Sequence, residues 1–509
     1  MYDEYGIIDI GSNTMRLVIY KRDKSGRLKE IENVKIVARL REYLTAEGVL
    51  SSRGISFLIN TLLSFQEVTR HHNINEVKCV ATASIRQASN QKHILAEVEK
   101  WTDFSIRILS EYEEAYYGYL AVTHSFSFDE AITIDIGGGS TEVTYYQNRE
   151  MKNYHSFPFG ALSLKKQFIA GDTPTSAEKE YIKKYVQENF ESLSWLKNKQ
   201  VPIVAMGGSA RNMAQIHQAI RKYPLMDTHQ YEMSLSDIEE VKQTITDLSY
   251  PQLLKVDGLS NDRADIIIPA VEVFESIMTV TGAKAFLLSR KGLRDGIFYK
   301  ELRKPSDLND FPNVIEQSLF ELSQDYNINQ TDAKHLSKIT LSIFNQIQEH
   351  GQINFSDQDY FFLMKAAEIY NFGESLSYES SSEHTFYLLT NRMIDGMNHK
   401  ERITLALIAS FKNKTLFRQY IEPYQDWFSK TEQKSIRFLG AILKLAYSLN
   451  STKRSIVEKI LIYPDYERLV FRVLCVKDWK PEEYQANKQK KHLEKCLKLN
   501  IHITFQRLK

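Results

Sequence analysis

The 509-residue chain carries 65 basic and 64 acidic side chains, a net charge of +1, and 43% of its residues are hydrophobic. That balance excludes binding to nucleic acid through overall charge, so a polyanion site would have to come from local clustering of cations. The length suits about three or four domains. Cys79, Cys475 and Cys496 have no metal spacing and point to a reducing compartment. With no leader pattern and no apolar run of membrane-spanning length, the sequence predicts a cytoplasmic protein with neither membrane nor nucleic acid as a partner.

The first element is IDIGSNTMRLVIY (Ile8–Tyr20): an apolar strand, Asp9, a turn of Gly11, Ser12, Asn13 and Thr14, and a second alternating strand. It reads as a hairpin, not a Walker loop, which would need Gly-Lys-Ser/Thr followed by a helix. Strands are expected near Ile31–Leu40 and Val77–Ala81 and helices near Arg53–Asn73 and Gln91–Thr102, an α/β pattern. A further helix, SEYEEAYYGYLAV, opens with a capping box of Ser110 and Glu113. At Ala131 the first pattern restarts. ITIDIGGGSTEVTYY (Ile132–Tyr146) repeats strand, Asp135, a turn of Gly137, Gly138, Gly139, Ser140 and Thr141, and strand, so one supersecondary unit is used twice. In each copy the glycines let backbone N–H groups converge on an anion, hydroxyls add donors, and the Asp can hold a cation. Two such loops suggest a cleft gripping phosphate from both sides.

The second lobe closes with a strand at Ala285–Leu288 and a helix from Leu293, and LRKPSDLNDFPN (302–313) reads as a linker. From Val314 to about Arg418 the apolar spacing is helical. The tail has strand-like SIVEKILIY (455–463) and RLVFRVLCV (468–476), a Lys-rich helix over Glu482–Leu497, and IHITFQ (501–506), the order of a small α/β cap.

Several side chains carry two readings. Glu111, Glu113 and Glu114 complement the dipole at their helix start, yet Glu114 is not needed as a cap and projects about 100° around the axis from Glu113. Arg86, in ATASIRQA after a strand, is either a surface Arg at a helix start or a two-pronged phosphate ligand. Arg263 and Asp265 in NDRAD favour a structural ion pair over substrate contact, and KGLRDG (291–296) has a similar balance.

Taken together, DIGSNTMRL (9–17), ATASIRQA (81–88), SEYEEA (110–115), DIGGGSTE (135–142), MGGSARN (206–212), GLSNDRADI (258–266) and KGLRDGIFY (291–299) resemble the exopolyphosphatase/guanosine pentaphosphate phosphatase family. That family belongs to the actin-like superfamily of sugar kinases and heat-shock ATPases. The resemblance implies an α/β fold of two actin-like (RNase H-like) lobes, residues 1–124 and 125–304, with a phosphate cleft between them. An all-α, degenerate HD-like domain (314–418) and a C-terminal α/β cap (419–509) would follow. It implies Glu114 as the catalytic base; the Gly of the family's motif is replaced here by Glu111. Mg²⁺ would sit on Asp135 and Glu142, with Asp9 a further contact and K⁺ a second candidate cation. The two turns, Gly11 to Thr14 and Gly137 to Thr141, would cradle successive phosphates, joined by Arg86 and by Gly208 and Ser209.

In the HD-like region His335 and His384 fall at ligand positions, but Tyr370 and Asn371 stand where a His-Asp pair belongs. Too few ligands are left for a hydrolytic metal centre, so the domain reads as a scaffold. Lys165, Lys166, Arg392, Lys400, Arg402 and KQKKHLEK (488–495) are candidates to line a path for a long polyanion, each also readable as a solvated helix face. The resemblance also implies a homodimer. The leading expectation is a Mg²⁺-dependent, processive exopolyphosphatase acting on inorganic polyphosphate. The alternatives are a guanosine pentaphosphate (pppGpp) 5′-phosphohydrolase, whose motifs are the same, and a non-catalytic polyphosphate or alarmone sensor.

Overall fold

The computed structural model describes residues 4–22, 28–302, 313–350, 354–370 and 372–508. The chain forms two compact units, Met1–Val314 and Ile315–Lys509. All but the two ends of the expected linker, and Asn371, lie outside the described residues.

The first unit contains two sheets of matching topology. Strands β1 (Glu4–Ile10), β2 (Thr14–Arg22), β3 (Leu28–Val37), β4 (Glu76–Ala81) and β5 (Ile106–Ile108) lie in the order β3-β2-β1-β4-β5. Strands β6 (Glu130–Ile136), β7 (Thr141–Gln147), β8 (Glu150–Phe157), β9 (Ile203–Met206) and β11 (Phe286–Leu288) repeat it as β8-β7-β6-β9-β11, with the two-residue β10 (Glu232–Met233) added at the edge. In both, an antiparallel three-strand meander continues into parallel strands reached through helical crossovers. The repeat seen in two short motifs is thus a duplication of a whole sheet, the actin-like arrangement.

Each sheet covers one face with its own helices. Ile8, Ile10, Leu17 and Ile19 pack under Leu58, Leu62 and Phe65 of the helix Ser52–His71 in the first lobe. Ile132, Ile134 and Val143 pack with Val271, Phe274 and Met278 of the helix Ile267–Thr281 in the second. A third cluster joins the other faces: Ile7, Val18 and Val80 from the first sheet meet Tyr146, Val204 and Leu287 from the second across the helix Glu111–Thr123. From Tyr117 to Thr123 every residue of that helix is buried. Its continuous apolar run, YYGYLAV, is what a helix covered on all sides requires. The N-terminal turn, with Glu114, is therefore anchored by a rigid rod between the lobes.

The described residues of the second unit are helical as far as Ser448 and end in a three-stranded sheet, β12 (Val457–Asp465), β13 (Arg468–Cys475) and β14 (Asn500–Arg507), in that order. β12 and β13 are antiparallel, and β13 and β14 are parallel. The Lys-rich segment is two helices, Lys480–Gln489 and Lys491–Leu497, that break at Lys490. The helix Lys430–Ser448 is absent from the sequence reading, although Ser429 and Glu432 form a capping box at its start. Its buried face holds Ile436, Leu439, Ile442, Leu443 and Ala446. Among the described residues no helix is long and apolar enough to cross a membrane.

Candidate active site

The two duplicated hairpins turn in the same way: Gly11 N–H donates to the Thr14 carbonyl at 3.0 Å and Gly137 N–H to the Ser140 carbonyl at 2.9 Å. They face each other, with a β-carbon at Gly138 falling 2.9 Å from Ser12 Cβ and one at Gly139 falling 3.1 Å from Ser12 Oγ. Gly160 braces the second turn from behind, since a β-carbon there would stand 2.5 Å from the Gly137 carbonyl oxygen and 2.8 Å from Gly139 N. Gly207, at φ +86°, brings the start of the helix Gly207–Ile220 against Asp135, where a β-carbon would lie 2.6 Å from Oδ1. That helix start has no side-chain cap and lines the cleft through Gly207 and Gly208, presenting free N–H groups.

The cleft is a cavity of about 410 Å³. It collects Asp9, Gly11, Ser12, Asn13 and Thr14 from the first turn, Asp135, Gly137, Gly138 and Ser140 from the second, and also Glu114 and Gly208. The remaining expected residues stand beside or behind it. Thr141 Oγ1 donates to the Phe159 carbonyl at 2.7 Å and Ser209 Oγ accepts from Arg263 at 3.2 Å, so both hydroxyls are already engaged. Glu142, 4% exposed, accepts from Ser156 Oγ at 2.8 Å. Gly139 packs against Ser12 and Ala83.

Arg86 is not a surface residue. Its Nη1 donates to Glu114 Oε2 at 2.8 Å and to the Leu109 carbonyl at 3.0 Å, while Nε and Nη2 are buried without a partner. Asn13 is 5% exposed, and neither its Nδ2 nor its Oδ1 has a partner. Buried polar atoms of this kind cost stability unless a ligand or water satisfies them.

Three carboxylates, Asp9, Glu114 and Asp135, line the cleft, and Glu142 is buried beside them. Asp135 and Glu142 are direct cross-strand partners, whereas Asp9 pairs with Arg16 at the equivalent position of the first sheet. Burial, opposed in part by Arg86 and reinforced by Asp135 and Asp9, pushes Glu114 up to about 7. Burial and Asp9 push Asp135 up to about 6. Burial, then Glu114 and Asp135, hold Glu142 well above the usual carboxylate range. Burial also raises Asp9, against the pull of Arg294, whose Nη1 lies 3.5 Å from Asp9 Oδ2.

The cleft is also rich in cations. Arg16, Lys35, Arg211, Arg263, Arg290, Lys291 and Arg294 line the same cavity. Arg211 is pushed down to about 10 by burial and by the charges of Arg290, Arg16, Arg263 and Arg294. The expected Arg263–Asp265 pair is not made. Asp265 instead takes both Nη atoms of Arg39 at 2.9 Å and Lys165 Nζ at 2.8 Å, tying the lobes together, and Arg263 is left to the cleft. Arg290 and Lys35 carried no motif in the sequence. Arg16, Arg211, Lys291 and Arg294 stood inside motifs already noted.

Most candidates for an extended cationic path are engaged elsewhere. Arg402 is 2% exposed and donates to the Arg392 carbonyl at 3.1 Å, Arg392 pairs with Asp325, and Lys400 pairs with Glu432 at 2.7 Å. Lys166 donates to the Leu44 carbonyl at 3.3 Å and Lys490 to the Ile501 carbonyl. Among the described residues, neither His335 nor His384 belongs to a group of three or more side chains placed to share a metal.

A sequence model of the Ppx/GppA phosphatase family matches residues 18–305, and one of the family's domain III matches residues 314–499. Among solved structures, the Aquifex aeolicus Ppx/GppA family member is 24% identical, with a TM-score of 0.52 over 61% of this chain and 100% of its own. An exopolyphosphatase from Cytophaga hutchinsonii is 20% identical, with a TM-score of 0.54 over 59% of this chain and 98% of its own. At such identities these likenesses establish the fold, and the family models, which together span most of the sequence, establish the lineage: the chain belongs to the Ppx/GppA phosphatase family.

Proposed function

We propose that this protein is a Mg²⁺-dependent exopolyphosphatase that removes the terminal phosphate of inorganic polyphosphate. The observation that carries the reading is the lining of the cleft: seven basic side chains and, among the described residues, no aromatic ring. A chain of phosphates offers only charge and oxygen atoms, which arginines bind in pairs and at a distance. A guanosine moiety would call for an apolar or stacking surface, and Ile136 and Leu293 are the aliphatic side chains in the lining.

In this reading the two turns and the helix start at Gly207 hold the terminal phosphates through backbone N–H groups, with Asn13 Nδ2 donating to phosphate oxygen. Glu114 orients a water and takes its proton as the water oxygen bonds to the terminal phosphorus. The bond from that phosphorus to the bridging oxygen breaks, and the shortened chain leaves with the electron pair. A carboxyl titrating near 7 is suited to this task, and the Arg86 hydrogen bond fixes its rotamer. Asp9, Asp135 and Glu142 supply oxygen donors of the kind a hard divalent cation takes; among the described residues they do not gather as a set of three close enough to share an ion, so one or two of them, with water and phosphate oxygen, would complete its coordination. Mg²⁺ held there would supply charge neutralisation on the phosphoryl oxygens.

Binding to the full-length Glu114→Gln protein tests the substrate. Polyphosphate is expected to bind more tightly than pppGpp, with affinity falling steeply with salt, and Arg211→Gln with Arg263→Gln is expected to weaken it by at least about 10-fold. Tighter binding of pppGpp, unaffected by those changes, would reverse the assignment.

A further inference from the structure

The second unit holds a cavity of its own, about 820 Å³, built wholly from residues between Tyr370 and Gln489. Its volume lies in the range of sites that enclose a small organic ligand. Two helices begin at its wall, Ser381–Asn391 through Ser381 and Ser382, and Lys480–Gln489 through Lys480 and Pro481. Neither start is capped by a side chain, and each turns the positive end of a helix dipole toward the space, although the Ser381 N–H is taken by the Tyr378 carbonyl at 3.4 Å and Pro481 has no N–H.

Three lysines, Lys412, Lys444 and Lys480, line the same cavity. The acids there are Glu374 and Glu379, and Glu374 is already held by Tyr447 at 2.8 Å and Lys453 at 3.0 Å. Lys444 donates to the Lys412 carbonyl and is pushed down to about 8 by burial and by Lys412, Lys491 and Lys488. Ser410, 3% exposed, lines the cavity with its hydroxyl unpartnered. Positive charge and a buried orphan hydroxyl ask for an anion rich in oxygen. The rim adds two tyrosine rings, Tyr378 at 75% exposure and Tyr484 at 67%, which leave ring surface open to stacking.

We propose that this cavity is a second ligand site, taking a nucleoside phosphate whose phosphates meet Lys412, Lys444, Lys480 and the two helix starts while its base stacks on Tyr378 or Tyr484. The site shares no residue with the cleft of the first unit and does not depend on the activity assigned there.

Local footprinting separates this site from the cleft. Full-length Glu114→Gln protein is treated with a limiting acetylating reagent, and modification of Lys444 is read by mass spectrometry with ATP, GTP, adenosine or tripolyphosphate present. One of the nucleotides is expected to protect Lys444 at least about 10-fold better than adenosine or tripolyphosphate at equal concentration. The exposed pair Tyr378→Ala and Tyr484→Ala should abolish that preference over tripolyphosphate and leave phosphate release by otherwise wild-type protein unchanged. No protection by either nucleotide at millimolar concentration would overturn the proposal. Equal protection by tripolyphosphate would also overturn it, because it would make the cavity a simple polyanion surface with no seat for a base.

Discussion

Glu114 sits one residue beyond the glutamate that caps its helix, and that offset gives it a different environment. Glu113 is spent on Ser110, accepting from both its N–H and its hydroxyl, whereas Glu114 meets Arg86 and the cleft. Glu114→Gln is expected to lower turnover by about 10²–10⁴-fold while leaving substrate binding mostly intact; steady-state kinetics alongside a binding isotherm check this. A second prediction concerns the cluster of acids. A carboxyl whose folded value lies above its unfolded one binds more protons in the native state, so stability falls as pH rises between the two. Glu114 goes from 4.5 to about 7 and Asp135 from 3.8 to about 6, which places the loss between about pH 4 and 7 in protein stripped of metal. Thermal melts in chelator should show a falling midpoint across that window, and Mg²⁺ should raise it more at pH 7.5 than at pH 5. A midpoint indifferent to Mg²⁺ at both would remove the metal from these residues.

At the scale of elements, the duplicated hairpins and their acids were legible because each lies in one short segment. Asp9 and Asp135 lie at equivalent positions of their strands, yet their cross-strand neighbours are Arg16 and Glu142, so one hairpin sets an acid opposite a base and the other sets two acids side by side. This asymmetry, too, can be read directly from the sequence. The cationic lining was not legible, since Lys35, Arg211, Arg263 and Arg290 come from separate segments and only the closed fold brings them to one cavity. The helix Lys430–Ser448 was not predicted although its cap and apolar spacing are both present in the sequence. Two changes probe these elements. Gly160→Ala forces a methyl into the backbone of the second turn and is expected to cost about 1–3 kcal/mol of stability and to lower kcat/KM, read by denaturant titration and by kinetics. Asp265→Asn removes the shared anion of Arg39 and Lys165 and should destabilise the first unit by about 1–3 kcal/mol, because both cations are partly exposed and Arg39 keeps Glu42; denaturant titration reads the loss.

For the molecule as a whole, every residue lining the cleft lies between Asp9 and Arg294, inside the first compact unit. The solved structures most relevant here match about 60% of this chain with essentially all of their own length, so the fold of that unit stands as a complete protein elsewhere. Residues 1–314 alone are therefore expected to hydrolyse a short polyphosphate with kcat within about tenfold of the full chain. The second unit should matter only for what it binds.

The measurement that bears most directly on the central claim is orthophosphate release with Mg²⁺ from long-chain polyphosphate and from pppGpp, side by side, with Glu114→Gln as the blank. Faster release from polyphosphate, with long chains persisting beside free phosphate, is the predicted result. Preferential release from pppGpp would contradict the polyphosphate assignment, and silence on both substrates would contradict catalysis itself.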